Sequence, residues 1–229
     1  MDKTIYFVRH GESTFNEWRT RSILTFSWIF VKDPMIIDAP LSRKGEQQVA
    51  SLHQEILDKK LHETVELIIT SPLTRAIQTT LGGFEGSAAP VQVHACCREM
   101  LDTACDIGRQ PAGTADPGAM RNLNGSDLAA AFGALDFTGL QDYWWLPEMP
   151  AALPQPPTTA KDVAPLRETT VDVDRRIRQL LALLRDLPQR HIAVVCHSSF
   201  IKRATKATRK LANCEIHAIA LRDLEALHP

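Results

Sequence analysis

The chain has 229 residues, 44% of them apolar, with 26 basic and 27 acidic side chains and a net charge of −1. At roughly 150 residues per domain this predicts one large domain with insertions, long enough to bury a core without disulfides or metal. The balanced charge, with an isoelectric point near 6.7, excludes a generally basic nucleic-acid binder.

Thr4 to Val8 is a short apolar, β-rich run that predicts a strand buried on both faces. It stops at Arg9-His10-Gly11-Glu12, polar residues that suit a site better than a strand. Ser42 is placed to cap a helix reaching about Lys59, whose Val49, Leu52, Ile56 and Leu57 fall on one face. Val65 to Thr70 predicts a second strand. Ser71-Pro72 then reads as a cap followed by proline at the first helical position, and Gly82-Gly83 as the helix end. Val91 to Val93 predicts a third strand.

Residues 111–169 break the pattern. They hold Pro111, Pro117, Pro147, Pro150, Pro154, Pro156, Pro157 and Pro165, with turn signals at Asn122, Asn124 and Gly125. This predicts an irregular insertion packed over a single domain, with one short helix from Ser126 to Phe132. The run Pro154 to Pro157 is expected to be extended. From Thr170, the residues Val173, Ile177, Leu180, Leu181 and Leu184 form one apolar stripe, with Asp172, Arg175, Arg176 and Gln179 opposite. Ile192 to Cys196 predicts the most buried strand, followed by a helix from about Phe200 to Leu211 and a last strand from Ile216 to Leu221. Alternating strands and helices imply a three-layer α/β sandwich on a mostly parallel sheet.

Five cysteines, two of them adjacent and none in a C-x-x-C pair, argue against a disulfide framework or a zinc ribbon. Ile23 to Val31 is the longest mainly apolar stretch, far short of the about 20 residues that span a bilayer, and is expected to be a cap packed on the core. No apolar signal core follows Met1. The expectation is a cytoplasmic protein with no membrane or nucleic-acid partner.

Ligands of open parallel sheets bind at the carboxyl ends of the strands. There the first strand delivers Arg9 and His10, the second leads to Arg75, and the Ile192–Cys196 strand delivers His197. Two guanidinium groups clamp a phosphoryl group through their planar forks. One neutral imidazole attacks phosphorus, and a second donates to the oxygens as charge develops. Backbone N–H groups of a helix starting near Ser198 would add to the anion site. A carboxylic acid kept protonated would supply the leaving alcohol with its proton.

Arg9-His10-Gly11-Glu12-Ser13 with Asn16 resembles the signature of the histidine phosphatase superfamily, the phosphoglycerate-mutase-like proteins. Leu41 to Gln47, Thr70 to Thr79, Cys97-Arg98-Glu99 and Val194 to Ser198 resemble further motifs of that family. Cys105-Asp106 with Arg109, Trp144-Trp145, Arg167-Glu168-Thr169 and Asn213-Cys214-Glu215 resemble its plant and fungal branch. The resemblance implies that His10 is phosphorylated, that Arg9, Arg75 and His197 hold the phosphoryl group, that Asn16 assists, and that Glu99 protonates the leaving group. Ser198 is expected to contact the substrate through the helix start.

Ser199 stands where the family has a glycine, which narrows the pocket. The stretch after Asn16 and the acid segment both lack the patterns of a glycolytic mutase. These departures favour hydrolysis of a small phosphomonoester, needing neither cofactor nor metal. A mutase and a phospholigand-binding scaffold are the alternatives. Glu12 and Asp102 compete with Glu99 for the acid role. Arg109 is either a salt-bridge partner or a substrate contact, and Trp144 and Trp145 are expected to be packing anchors. Lys202, Arg203, Lys206, Arg209 and Lys210 form a basic stretch, read as a solvated helix face.

Overall fold

The computed structural model describes residues 3–112, 127–148 and 157–228. Its strands are β1 (Thr4–Arg9), β2 (Leu67–Thr70), β3 (Val91–Val93), β4 (His191–Cys196) and β5 (Ile216–Ala220). The helices are α1 (Thr14–Leu24), α2 (Arg43–Asp58), α3 (Leu61–Thr64), α4 (Thr74–Gly83), α5 (Leu128–Ala131), α6 (Ala160–Val163), α7 (Thr170–Asp186), α8 (Ser198–Ala204) and α9 (Leu221–Ala226).

The sheet runs β3-β2-β4-β1-β5. Its first four strands are parallel and β5 is an antiparallel edge. Side chains alternate across each strand. Ile5, Phe7, Leu67, Ile69, Ile192 and Val194 therefore pack on one face against the α7 stripe Val173, Ile177, Leu180, Leu181 and Leu184. Val8, Ile68, Ala193 and Val195 face the other way, onto Val49, Leu52 and Ile56 of α2. Helices thus cover both faces, as the strand and helix alternation predicts. A third cluster joins Leu73 and Ile77 to Trp144, Trp145, Phe137 and Leu128. Both tryptophans are packing anchors: Trp144 and Trp145 are buried.

The ends of α2 and α7 lie where their caps place them. Ser42 accepts from the Gly45 N–H, and Thr169 with Asp172 closes a reciprocal capping box on α7. Several expectations are corrected. Helix α4 begins at Thr74, not Pro72, because its cap comes from a distant residue: Asp38 accepts from the Thr74 N–H at 2.8 Å and its hydroxyl at 2.5 Å. Helix α8 stops at Ala204 rather than Leu211, and the chain turns there through Lys206 in the left-handed region (φ 51°). Arg176 is buried against Glu168 rather than solvated. Helix α1 carries no sustained apolar stripe to mark it in the sequence; its start is written instead in the Ser13–Asn16 capping box. The segment Ile23–Val31 is exposed, Phe30 at 87%, and is not packed on the core.

In the region expected to be an insertion, α5 (Leu128–Ala131) forms inside the expected Ser126–Phe132 helix, with Asp127 and Phe132 as its flanking caps. Ser126, Pro117, Asn122, Asn124, Gly125, Pro150 and the Pro154–Pro156 run lie outside the described residues. Among the described residues no helix is long and apolar enough to cross a membrane.

Candidate active site

Sheet register builds the centre of the site. Arg9 of β1 pairs with Cys196 of β4, so the next residues, His10 and His197, leave the sheet side by side. Their ring centroids are 4.9 Å apart. Thr70 of β2 pairs with Val195, which brings Ser71 alongside; its hydroxyl lies 2.8 Å from His197 Nε2.

His10 is buried, and its Nδ1 lies 2.6 Å from the Gly11 carbonyl oxygen. A carbonyl only accepts, so Nδ1 carries the proton and Nε2 keeps its lone pair. Arg75 Nε donates to that Nε2 at 3.3 Å. Burial, and then the charges of Arg75 and Arg9, hold His10 well below the ordinary imidazole value. His197 is pushed the same way by burial, then Arg75 and His10. Its Nδ1 is buried without a partner.

Arg75, in the first turn of α4, is oriented by Nη1 donating to the Cys105 carbonyl at 2.7 Å and Nη2 to Asp106 at 2.9 Å. Arg9 is tied to the Leu211 carbonyl at 2.6 Å, with its Nε unpartnered. Asn213 fixes the loop from the other side by donating to the His10 carbonyl at 2.9 Å.

Glu99 occupies the start of α8. One oxygen accepts from Met100 N at 3.0 Å and Phe200 N at 3.3 Å, the other from Ser199 N at 3.3 Å. Two of these donors, Ser199 and Phe200, belong to the start of α8, so that helix end holds the carboxyl group. Burial, and then the nearby Asp106 charge, raise Glu99 above the usual carboxylate value, against the pull of its N–H donors. The two competitors are engaged elsewhere. Glu12 accepts from Ser42 and pairs with Lys44 at 3.1 Å. Asp102 is exposed beside Arg167. Arg109 pairs with buried Asp38 at 3.0 Å and is a salt-bridge partner rather than a lining residue of the cavity.

Behind Glu99 lies a buried charge cluster. Glu168 accepts from Arg98 at 2.5 Å and from Arg176 at 2.8 and 2.9 Å. Arg176 also donates to the carbonyls of Cys96, Arg98 and Glu99. Burial, with Arg176 alongside, pulls Arg98 down to about 9.

Arg9, His10, Asn16, Arg75, Glu99 and Ser198 all line one cavity of about 1100 Å³; His197, beside His10, is fully buried. Asp38 is a structural partner absent from the sequence reading, and Asp106, singled out there in the Cys105-Asp106 motif, is the partner that orients Arg75. A further local signal for Asp106 is its capping box with Thr103. Nothing local marks Asp38, whose partners Thr74 and Arg109 are remote in sequence. Among the described residues no group of three His, Cys, Asp or Glu side chains could hold a metal. The basic stretch from Lys202 to Lys210 divides: Arg203 pairs with Asp174 and Arg209 with Glu215, while Lys210 reaches the cavity and donates to Ser199 Oγ.

A parallel-sheet carboxyl edge carrying a neutral histidine, a second buried imidazole and two arginines is the arrangement of a phosphoryl-transfer enzyme. The model of the histidine phosphatase superfamily (branch 1) matches residues 5–112. Phosphoglycerate mutase-like protein 1 of Arabidopsis thaliana is 26% identical over 98% of this chain and 83% of its own length. A probable phosphatase of Schizosaccharomyces pombe is 32% identical over 47% of this chain and 46% of its own. The solved structure of a mycobacterial hydrolase superposes with a TM-score of 0.53 at 19% identity, covering 96% of this chain and 92% of that one. The similarity to the histidine phosphatase superfamily thus covers residues 5–112, and similarity to a phosphoglycerate-mutase-like protein runs over nearly the whole chain.

Proposed function

We propose that this enzyme hydrolyses a small phosphomonoester through a phosphohistidine on His10. The observation that carries the reading is the His10 ring itself: Nδ1 is committed to the Gly11 carbonyl at 2.6 Å, so the lone pair is on Nε2, at the cavity. A phosphoryl oxygen arriving between Arg9 and Arg75 competes for the Arg75 N–H and releases that lone pair. His10 Nε2 then forms the N–P bond as the P–O bond to the alcohol breaks. The alcohol oxygen takes the proton of Glu99. Water next attacks phosphorus and gives its proton to the Glu99 carboxylate. The N–P bond breaks, and inorganic phosphate leaves.

In this reading Arg9 and Arg75 neutralise the phosphoryl oxygens, and the neutral His197 adds a hydrogen-bond donor through its unpartnered Nδ1. Asn16 and Ser198 supply polar contacts from the cavity wall. The test is hydrolysis of an aryl phosphate by the native protein and by His10→Ala, with trapping of an acid-labile, alkali-stable phosphoenzyme from a radiolabelled ester. Turnover and labelling should both vanish in the variant. Turnover that survives His10→Ala would sink the reading.

A further inference from the structure

The cavity is larger than the chemistry requires. Its volume of about 1100 Å³ lies just above the roughly 300–1,000 Å³ range of pockets that enclose a drug-sized ligand. The inner part holds the histidine and arginine centre. The outer part is of a different character. Trp18 and Ile23 of α1 line it together with Trp28, which sits on a short 3₁₀ turn after α1.

Trp18 is anchored by a tilted contact with Phe15, centroids 5.7 Å apart. Trp28 is 49% exposed, so the wall shows water a large apolar face. The turn that carries it is entered through Phe26 at φ 58°, a backbone state unfavourable to a bulky residue. Arg19 and Lys32 border the same wall and pair with no carboxylate among the described residues.

We propose that this outer wall is a leaving-group subsite, selecting phosphomonoesters whose alcohol part carries a flat aromatic body and a second negative charge remote from the scissile phosphate. The proposal rests on the phosphatase reading above and names its substrate class. Trp18, Ile23 and Trp28 bury the aromatic body, and Arg19 and Lys32 attract the remote anion. A three-carbon phosphate ester would leave the wall untouched.

The test uses four esters of alcohols similar in acidity, so that leaving-group chemistry stays level: propyl, benzyl, para-carboxybenzyl and para-carbamoylbenzyl phosphate. The benzyl ester should exceed the propyl ester in kcat/KM by about tenfold or more, since burying several apolar carbons discriminates at least that well. The charged para-carboxybenzyl ester should exceed its neutral carbamoyl isostere by about fivefold, with the advantage shrinking at high salt. Trp28→Ala should collapse the first ratio, and Arg19→Gln combined with Lys32→Gln the second.

Either native ratio near one overturns the proposal. So does a uniform fall across all four esters in Trp28→Ala, which is the mark of a structural role. His10-dependent turnover with flat ratios overturns this proposal alone. Turnover of none of the esters, or turnover that survives His10→Ala, overturns the phosphatase reading and this proposal with it.

Discussion

Glu99 serves in this mechanism as acid and then as base, and its surroundings are divided accordingly. Burial and Asp106 favour the protonated form, while the Met100 and Ser199 N–H groups favour the anion. Glu99→Gln keeps the shape and loses the proton. We expect it to slow alkyl ester hydrolysis by about 10²–10⁴-fold, the usual contribution of a positioned acid. In kcat/KM, which ends at formation of the phosphohistidine and so leaves out the water step, the loss should be far smaller with para-nitrophenyl phosphate, whose leaving group needs no proton; equal losses in kcat/KM on both esters would count against the acid role. The pH profile follows from the same two residues. His10 is held well below 6.5, so the acid limb of kcat/KM lies well below 6.5. Glu99 is raised above 4.5, so activity falls at higher pH as Glu99 loses its proton. On an alkyl ester Glu99→Gln should erase that alkaline limb, and its persistence would assign it to another group. His10, Arg9, Arg75 and His197 stood out as types at strand ends; what their rings and forks donate to was not written beside them.

Two elements depend on contacts that no local pattern displays. The start of α2 abuts the loop after His10 so closely that a Cβ on Gly45 would lie 2.0 Å from the Glu12 carbonyl oxygen. Backbone cannot yield as a flexible side chain does. Gly45→Ala should therefore destabilise by about 1–3 kcal/mol and lower kcat by displacing the His10 loop, measurable by denaturation and by assay. The Glu99 segment is held from behind by α7 through Arg176, and Arg176 by Glu168. Removing one partner of a buried ion cluster leaves uncompensated charge. Glu168→Ala should cost about 3–5 kcal/mol in a urea titration, and a change within 1 kcal/mol would contradict the cluster's role. The apolar stripe of α7 was plain from spacing, yet the same spacing placed Arg176 opposite the stripe. Only the packing of 96–99 against that helix turns it inward.

At the scale of the whole molecule, two neutral imidazoles lie buried at the junction of β1 and β4. Both have pKa values below the ordinary 6.5, so the unfolded chain binds protons that the folded one refuses. Their contribution is complete above pH 6.5 and is lost as pH falls toward the folded values, by about 1.4 kcal/mol per pH unit for each ring. Asp38 and Glu99 act with opposite sign: burial raises both, so they stabilise at low pH and lose that contribution as pH rises through their raised values. The thermal midpoint of His197→Gln should fall less steeply below pH 6.5 than that of the native protein, and parallel curves would show that His197 is not held neutral. The sequence by itself determined the α/β alternation, the core stripes of α2 and α7, and the polar residues at the strand ends, because these follow from periodicity and chain order. The tertiary structure alone decided the strand order that seats His10 against His197, the Asp38 cap on α4, the Asp106 and Glu168 partners of the arginines, and the exposure of the Ile23–Val31 wall. Each of those depends on groups tens of residues apart meeting in space, and no local pattern records such a meeting.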